Sequence, residues 1–497
     1  MKSAFQFKIN CKGGIISPGY LLNLLELLEE SGIENIRFGL RQQILIDASS
    51  KQYSTLTKIL TNKKIDFEIN KEEHPNIVSS YAAEDIFVHE NWLKEGIYKD
   101  VLDAIEYTPS LKINISDNNQ CFTPFFSGHI NWIASEKNHF WYLCIRFPKT
   151  NVLFHWPQIL YTNEVATLTQ TIEQLILQHN SKFLKNEQSF GEWIFQEVTA
   201  QKKYIAQPIE NALQLPVFNL PYYEGFNSYG NKTWLGIYRR DELFPIKFLK
   251  EIAITCLQTK IGQLYTTPWK SLIVKNIERK DRIYWDAILG KYRINVRHAA
   301  NELNWQIEDH IDEGLQIKRH IIREFDKQDV RTYGLCFAVK TQAQSELYGS
   351  VLIQKNNGTN KGKQPDNFDI YYTENFNPNS KNYILYRQFV GKEYVHTYLI
   401  SLCKYFYEVM YSNTEISKNA SQFFVSNDTN NKAEEFIYQC KDCYTVYDEK
   451  YGEPDQEITA GTNFQNLPDT FYCPTCEAPK SNFLSVIKEK LISKEVL

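Results

Sequence analysis

The stretch FKINCKGGIISPGYLLNLLELLEESGIENIRFGLRQQILI, Phe7–Ile46, lies without a gap over LGIYRRDELFPIKFLKEIAITCLQTKIGQLYTTPWKSLIV, Leu235–Val274. The two share hydrophobic pattern rather than identity. Tyr20, Leu21 and Leu24 fall on Phe248, Leu249 and Ile252, and Leu28 falls on Cys256. Ile33, Ile36 and Ile44-Leu45-Ile46 fall on Ile261, Leu264 and Leu272-Ile273-Val274. Convergent strand–helix–strand patterning is the competing explanation. A period of about 228 residues is far too long for a solenoid and points to duplication of a whole domain pair.

The first copy carries its own punctuation. Phe5–Asn10 alternates as a strand does, and Lys12-Gly13-Gly14 turns the chain. Ser17 suits an N-cap, Pro18 the first helical position, and Gly32 the C-terminal stop. Leu21, Leu24, Leu25 and Leu28 share one helical face between them. Ile36–Phe38 and Ile44–Ile46 read as strands flanking Gly39-Leu40-Arg41-Gln42, and a more polar helix follows over Gln52–Leu60.

The intervening chain predicts strands at His129–Ala134 and Phe140–Phe147, then a helix capped by Asn163 with a stripe of Val165, Leu168, Ile172, Leu175 and Ile176. After the second copy, Ile283–Leu289 and Arg297–Trp305 read as helices. Leu335–Lys340, Gly349–Gln354 and Phe368–Tyr372 read as strands, and Tyr394–Tyr411 as a closing helix. The expected fold class is α+β, with duplicated half domains at 1–75 and 216–300. Partner α+β domains are expected at 76–215 and 301–412. An Asn-, Ser- and Thr-rich linker at 413–434 leads to a small module at 435–488.

Composition narrows the function classes. The chain has 497 residues, 43% hydrophobic, with a formal net charge of -4. Mixed charge of this kind argues against nucleic-acid or membrane-surface binding. Met1–Cys11 has no apolar signal core, and no run approaches the roughly 18 apolar residues of a spanning helix. A cytoplasmic protein is expected. No phosphate loop, nucleophile elbow or dinucleotide fingerprint is present.

Of ten cysteines, Cys11, Cys121, Cys144, Cys256, Cys336 and Cys403 are scattered singly. The last four form two knuckles, Cys440-Lys441-Asp442-Cys443 and Cys473-Pro474-Thr475-Cys476. Each knuckle converges two thiolates on one ion, and together they complete a tetrahedral S₄ site. Zinc and iron both accept that geometry.

Around the knuckles stand Tyr438, Tyr447, Phe464, Phe471 and Phe483, with Leu467-Pro468-Asp469 leading into the second. In spacing, aromatic set and lead-in the module resembles a rubredoxin. The resemblance implies one Fe(Cys)₄ centre at Cys440, Cys443, Cys473 and Cys476, cycling between Fe(III) and Fe(II), and a redox partner protein. Two positions depart from the family, where glycine follows each knuckle and this chain has Tyr444 and Glu477. Keeping the glycine conformation there costs about 1 kcal/mol. The module is acidic, with eight carboxylates against four lysines over 436–488. An acidic face steers toward a basic partner.

The repeat resembles the ferredoxin-like half domain of nitrite and sulfite reductases, which carry two such halves. Gly39-Leu40-Arg41-Gln42 with the strand Gln43–Ile46, and Pro75-Asn76-Ile77-Val78-Ser79-Ser80 after it, carry the likeness. In that family an Arg-Gln pair faces siroheme and the bound anion. Trp269-Lys270-Ser271 fills the slot in the second copy. The resemblance therefore implies cofactor contacts from Arg41, Gln42, Lys270 and Arg297, with Arg293 alongside. Those reductases also hold a [4Fe–4S] cluster on two cysteine pairs. Outside the C-terminal module this chain has no cysteine pair. Three readings stay open: an electron carrier whose body docks a redox partner; a siroheme-dependent oxyanion reductase without its own cluster; and a zinc-bearing scaffold without redox chemistry.

Overall fold

The computed structural model describes residues 5–487, apart from 89–90, 149, 180–186, 297–300, 310–311, 343–346, 357–366, 381 and 413–435, and within the C-terminal module 442–444, 448, 450–451, 454–455, 457, 460 and 475–477. The expected linker at 413–434 lies outside the described residues. Two compact units are present, Met1–Val409 and Met410–Leu497.

In the first unit the helices are α1 (Pro18–Glu30), α2 (Ser50–Asn62), α3 (Glu95–Ala104), α4 (Val165–His179), α5 (Glu187–Gln201), α6 (Ile246–Gln258), α7 (Arg282–Lys291), α8 (Asp312–Lys327) and α9 (Val395–Ser412). The bounds of α1 follow from the residues named at its ends. Ser17 accepts from the Tyr20 N–H at 3.3 Å, Pro18 opens the first turn, and Gly32 turns away at φ 74°. The second copy repeats the plan in register. The strand–turn–strand of Asn35–Phe38 and Ile44–Ala48 reappears as Leu264–Thr266 and Leu272–Glu278.

The two half domains are not closed individually. One sheet runs Phe244–Pro245, Asn35–Phe38, Ile44–Ala48, Phe5–Ile9, Glu68–Ile69; the other runs Gly225–Tyr229, Lys232–Ile237, Leu272–Glu278, Leu264–Thr266, Ile15–Ile16. Phe244 pairs with Ile36, and Ile15 pairs with Tyr265, so each half lends the other a two-residue strand. Between the sheets α1 packs on α6, burying Leu21, Leu24, Leu25 and Leu28 with Phe248, Leu249, Ile252 and Cys256 in one core.

Each half domain is followed by a second sheet, and these two sheets match in topology. The first runs Val78–Ser79, Ile113–Ser116, Ile130–Ala134, Phe140–Arg146, Gln158–Tyr161 and ends on Ala206–Pro208. The second runs Trp305–Ile307, Phe337–Lys340, Val351–Lys355, Asn367–Thr373, Tyr383–Gly391. In both, the first three strands are parallel and the later pairings antiparallel. The duplicated α+β architecture expected from the repeat is thus present.

Two local expectations are corrected. The helix expected over Arg297–Trp305 is absent from its described part. Residues 301–304 form a turn, and Trp305 starts a parallel strand opposite Phe337. Its indole N–H donates to the Asn301 carbonyl at 2.8 Å, and Asn304 Nδ2 donates to Thr332 and Leu335 carbonyls. The polar side chains there close a loop instead of lining a helix face. Asn163 falls inside a short 3-10 turn, Thr162–Glu164, that runs into α4.

Candidate metal centre

The C-terminal module is built on a three-stranded antiparallel sheet, Val446–Tyr447, Phe436–Cys440 and Phe483–Ile487. Cys440 ends the central strand opposite Phe483. Its N–H donates to the Thr445 carbonyl at 2.8 Å, closing the first knuckle. The second knuckle closes alike, with the Cys473 N–H on the Ala478 carbonyl at 2.7 Å. Each lead cysteine thus bonds the residue five positions on, and both are 0% exposed. Cys443 and Cys476, with Tyr444 and Glu477, lie outside the described residues.

The five expected aromatics form one cluster beside these cysteines. Phe464 is its hub, 4.0 Å from Tyr438 in a parallel stack and 5.7, 6.1 and 5.3 Å from Tyr447, Phe471 and Phe483. Ile458, Leu467 and Ala478 complete the buried set. Polar bonds hold the shell in place. Tyr447 Oη donates to the Thr462 carbonyl, Glu449 accepts from the Phe464 N–H, and Lys480 Nζ donates to the Leu467 carbonyl at 2.6 Å. Gly452 is needed for its backbone. At φ 66°, a Cβ there would lie 2.5 Å from the Ile458 carbonyl oxygen.

Residues 437–483 match the rubredoxin family model. A probable rubredoxin-2 of Methanocaldococcus jannaschii is 53% identical over 49 residues, which is 10% of this chain and 87% of that protein. Over this module the chain belongs to the rubredoxin family. The rubredoxin-2 of Chlorobaculum tepidum is 39% identical over 49 residues, 10% of this chain and 94% of that protein. The remainder finds its likeness in structure. The NirA protein of Mycobacterium tuberculosis superposes with a TM-score of 0.57 at 10% identity, covering 80% of each chain. That similarity establishes the fold of the body. The rubredoxin family implies a mononuclear iron on the knuckle cysteines. The described part fits such an ion, with two sulfur-bearing side chains sealed from water and a dry ring of aromatics against them.

The six other cysteines are unlike these. Burial pushes the Cys11, Cys144, Cys336 and Cys403 thiols up to about 12, and raises Cys256 and Cys121 as well. They are neutral thiols dispersed through the first unit.

The residues expected at a tetrapyrrole are spent on the protein itself. Arg41 is 7% exposed, and its guanidinium donates to the Asn76 carbonyl at 2.7 Å and the Ile113 carbonyl at 3.0 Å, while Asn76 Nδ2 donates back to the Arg41 carbonyl. Gln42 is fully buried; its amide donates to the Ser79 and Thr266 carbonyls and accepts from the Ser79 N–H. Lys270 is 3% exposed and pairs with Glu242 at 2.8 Å and Asp309 at 3.4 Å. Asp309 also accepts from the Leu40 N–H, so one carboxylate ties the turn of the first copy to that of the second. Trp269, in the slot of Arg41, is buried among Tyr223 and Tyr348 and donates to the Phe122 carbonyl. Arg293 is exposed, and Arg297 lies outside the described residues.

Three cavities of 580, 370 and 740 Å³ open on the body, and Arg41, Gln42 and Lys270 line none of them. Among the described residues, the polar groups of Arg41, Gln42 and Lys270 are committed to protein partners. Sequence reasoning missed their partners, because Glu242 and Asp309 lie in unremarked loops.

Proposed function

We propose that the chain is a one-electron carrier in which Cys440, Cys443, Cys473 and Cys476 hold iron, and the NirA-like body docks a redox partner protein. The observation that carries this reading is the matched pair of knuckle closures at Cys440 and Cys473 against a five-ring aromatic shell. A structural zinc ribbon needs the knuckles but not the rings. When bound, iron supplies exchange of a single electron between Fe(III) and Fe(II). The chain's part is to bury the lead cysteines and keep water away.

Exposed apolar side chains sit beside the site: Tyr472 precedes Cys473, and Leu484 follows Phe483. They offer a short, low-barrier approach for a partner's redox group. Carrying the module and the body on one chain raises the effective concentration of iron wherever the body is docked. In this reading the body's buried Arg41, Gln42 and Lys270 are structural fastenings, and the bonds that cross between the repeats are Gln42 to Thr266 and the Leu40 N–H to Asp309.

The test is absorbance with metal analysis on purified full-length protein, before and after dithionite. One iron per chain and sulfur-to-iron bands that bleach on reduction support the reading. Colourless protein with stoichiometric zinc, expressed with iron available, overturns it. Tetrapyrrole bands would favour the siroheme-dependent reductase instead.

A further inference from the structure

The cavity of 370 Å³ opens between α8 and the loop that joins Lys232–Ile237 to Phe244–Pro245. Its walls carry four cations, Arg240, Lys318, Arg319 and Arg323, against the carboxylates of Asp241, Glu302 and Asp326. Those carboxylates already have partners. Glu302 pairs with Arg240 at 2.6 Å, Asp241 pairs with Arg319 at 2.6 Å, and Asp326 accepts from Asn301 Nδ2 at 3.3 Å. Among the described residues, no carboxylate pairs with Lys318 or Arg323.

Lys318 is 2% exposed and lines the cavity from the buried side of α8. An ammonium has three N–H donors, and one is used here, on Tyr238 Oη at 2.7 Å. The face of the same ring lies 5.1 Å from the nitrogen. A buried charge without a counter-ion is costly, and a single neutral acceptor does not offset it. Burial lowers this ammonium to about 8, with Glu242 and Glu302 opposing and Lys270 and Arg319 adding to the fall. At pH 7 it is still charged, in surroundings that lack the opposite charge it needs. An anion in the cavity supplies that charge. Arg319 and Arg323 stand one helical turn apart and line the same cavity. The Arg319–Asp241 pair is half exposed on both sides, so it is weak and readily exchanged.

We propose that Lys318, Arg319 and Arg323, with Arg240 at the rim, bind a phosphate-class oxyanion, either free or as a small phosphate monoester. Guanidinium forks match two phosphate oxygens at once, and a buried ammonium acts as a point charge behind them. The cavity lies in the range of small-ligand sites, about 300–1,000 Å³, and is roomier than a bare ion requires. Ile322 gives it an apolar wall on which an ester's organic part can rest. The other two cavities lack this arrangement. In that of 740 Å³, buried Lys8 pairs with Glu68, and Lys12 donates to the Leu102 and Ile105 carbonyls. That of 580 Å³ has no lysine or arginine in its lining. The proposed site shares no residue with Arg41, Gln42 and Lys270, and none with the C-terminal module.

The test is calorimetric titration of the full-length protein with inorganic phosphate and with phenyl phosphate, at constant ionic strength. Wild type is expected to bind at millimolar concentration or below, and Lys318→Met and Arg323→Gln about tenfold or more weakly. Lys63→Gln, on the wall of the 740 Å³ cavity, should bind as wild type does. Arg323 is exposed, so its variant leaves the buried core intact and tests the site whatever Lys318→Met does to folding. Tighter binding of phenyl phosphate identifies a phosphate ester as the ligand, and equal or weaker binding identifies the free oxyanion; both support the site. Sulfate, which does not titrate above neutrality, reads the lysine. Its affinity for wild type should fall above about pH 8, as Lys318 loses its proton. Of the groups that face Lys318, Tyr238 and Lys270 are held above their ordinary range and Glu242 below it, Glu302 is paired with Arg240, and Arg319 stays charged. No binding of either phosphate probe, or undiminished binding in Arg323→Gln, overturns the site. Sulfate affinity that is constant through pH 8 overturns Lys318 as its buried ligand.

Discussion

Gln42 and Lys270 hold the same place in the two half domains, and both take left-handed backbone, at φ 62° and 54°. Each closes the same turn: Gln42 N–H donates to the Gly39 carbonyl, and Lys270 N–H to the Thr267 carbonyl. A side chain in that conformation costs roughly 1–2 kcal/mol. Both positions offset it with buried bonds, one from Gln42 crossing the repeat boundary and those of Lys270 staying within its own copy. Gln42 does so with a neutral amide on Thr266, and Lys270 with a charge on Glu242 and Asp309.

Lys270→Met should therefore destabilise the body by about 3–5 kcal/mol, because Glu242 and Asp309 lose their buried counter-charge. Denaturant unfolding followed by tryptophan fluorescence reads it. A loss under about 1 kcal/mol would mean that the buried ion pair does not stabilise the body.

The same pair sets an acid limit. Burial pushes the Glu242 carboxyl up, but Lys270 and Lys318 outweigh burial and hold it below its ordinary range. A depressed carboxyl gives stability that is present above its unfolded pKa, about 4.3, and lost as pH falls through the folded value. Wild type should lose stability below about pH 4 more steeply than Lys270→Met, as unfolding at matched pH will show.

Lys275 should act in the opposite range. Burial beside Tyr81 and Tyr265 lowers its ammonium to about 8, with Glu84 opposing. Between pH 8 and 10.5 the unfolded chain keeps a proton that the folded chain has released, so stability rises with pH. The unfolding free energy of wild type relative to Lys275→Met should grow by up to roughly 3 kcal/mol from pH 7.5 to 10.5. A pH-independent difference would place Lys275 in ordinary solvent.

In the rubredoxin module, Phe464→Ala removes the hub of four ring contacts and should cost about 3–5 kcal/mol. The visible bands of the loaded protein should disappear at lower denaturant than in wild type. Cys440→Ser and Cys473→Ser should abolish those bands, and Cys256→Ala should leave them intact. Loss of the bands in Cys256→Ala would place a redox thiol in the body.

Legibility followed the range of the forces involved. The ends of α1 were readable because Ser17, Pro18 and Gly32 act on neighbours. The knuckles and their five aromatics were readable for the same reason. Helix α8 was not recognised, because Lys318 stands in its buried stripe, where it donates to Tyr238 Oη at 2.7 Å. The strand Tyr383–Gly391 was missed because most of it is exposed and shows no alternation. By family resemblance Arg41 and Lys270 would face a ligand. Their charges are visible in sequence, but the groups that answer them, Asn76, Glu242 and Asp309, are named only by the fold.

The exchanged strands have a consequence for synthesis. Asn35–Phe38 leaves the ribosome with one edge open, and the strand that covers it, Phe244–Pro245, is roughly 200 residues away, or about 10–40 s of translation. Throughout that interval the nascent chain carries an uncovered hydrogen-bonding edge, a template for pairing with a neighbouring chain. Its final closure is a long-range event that local folding cannot hasten. Production of this protein should therefore be limited by chaperone supply and expression temperature before it is limited by iron.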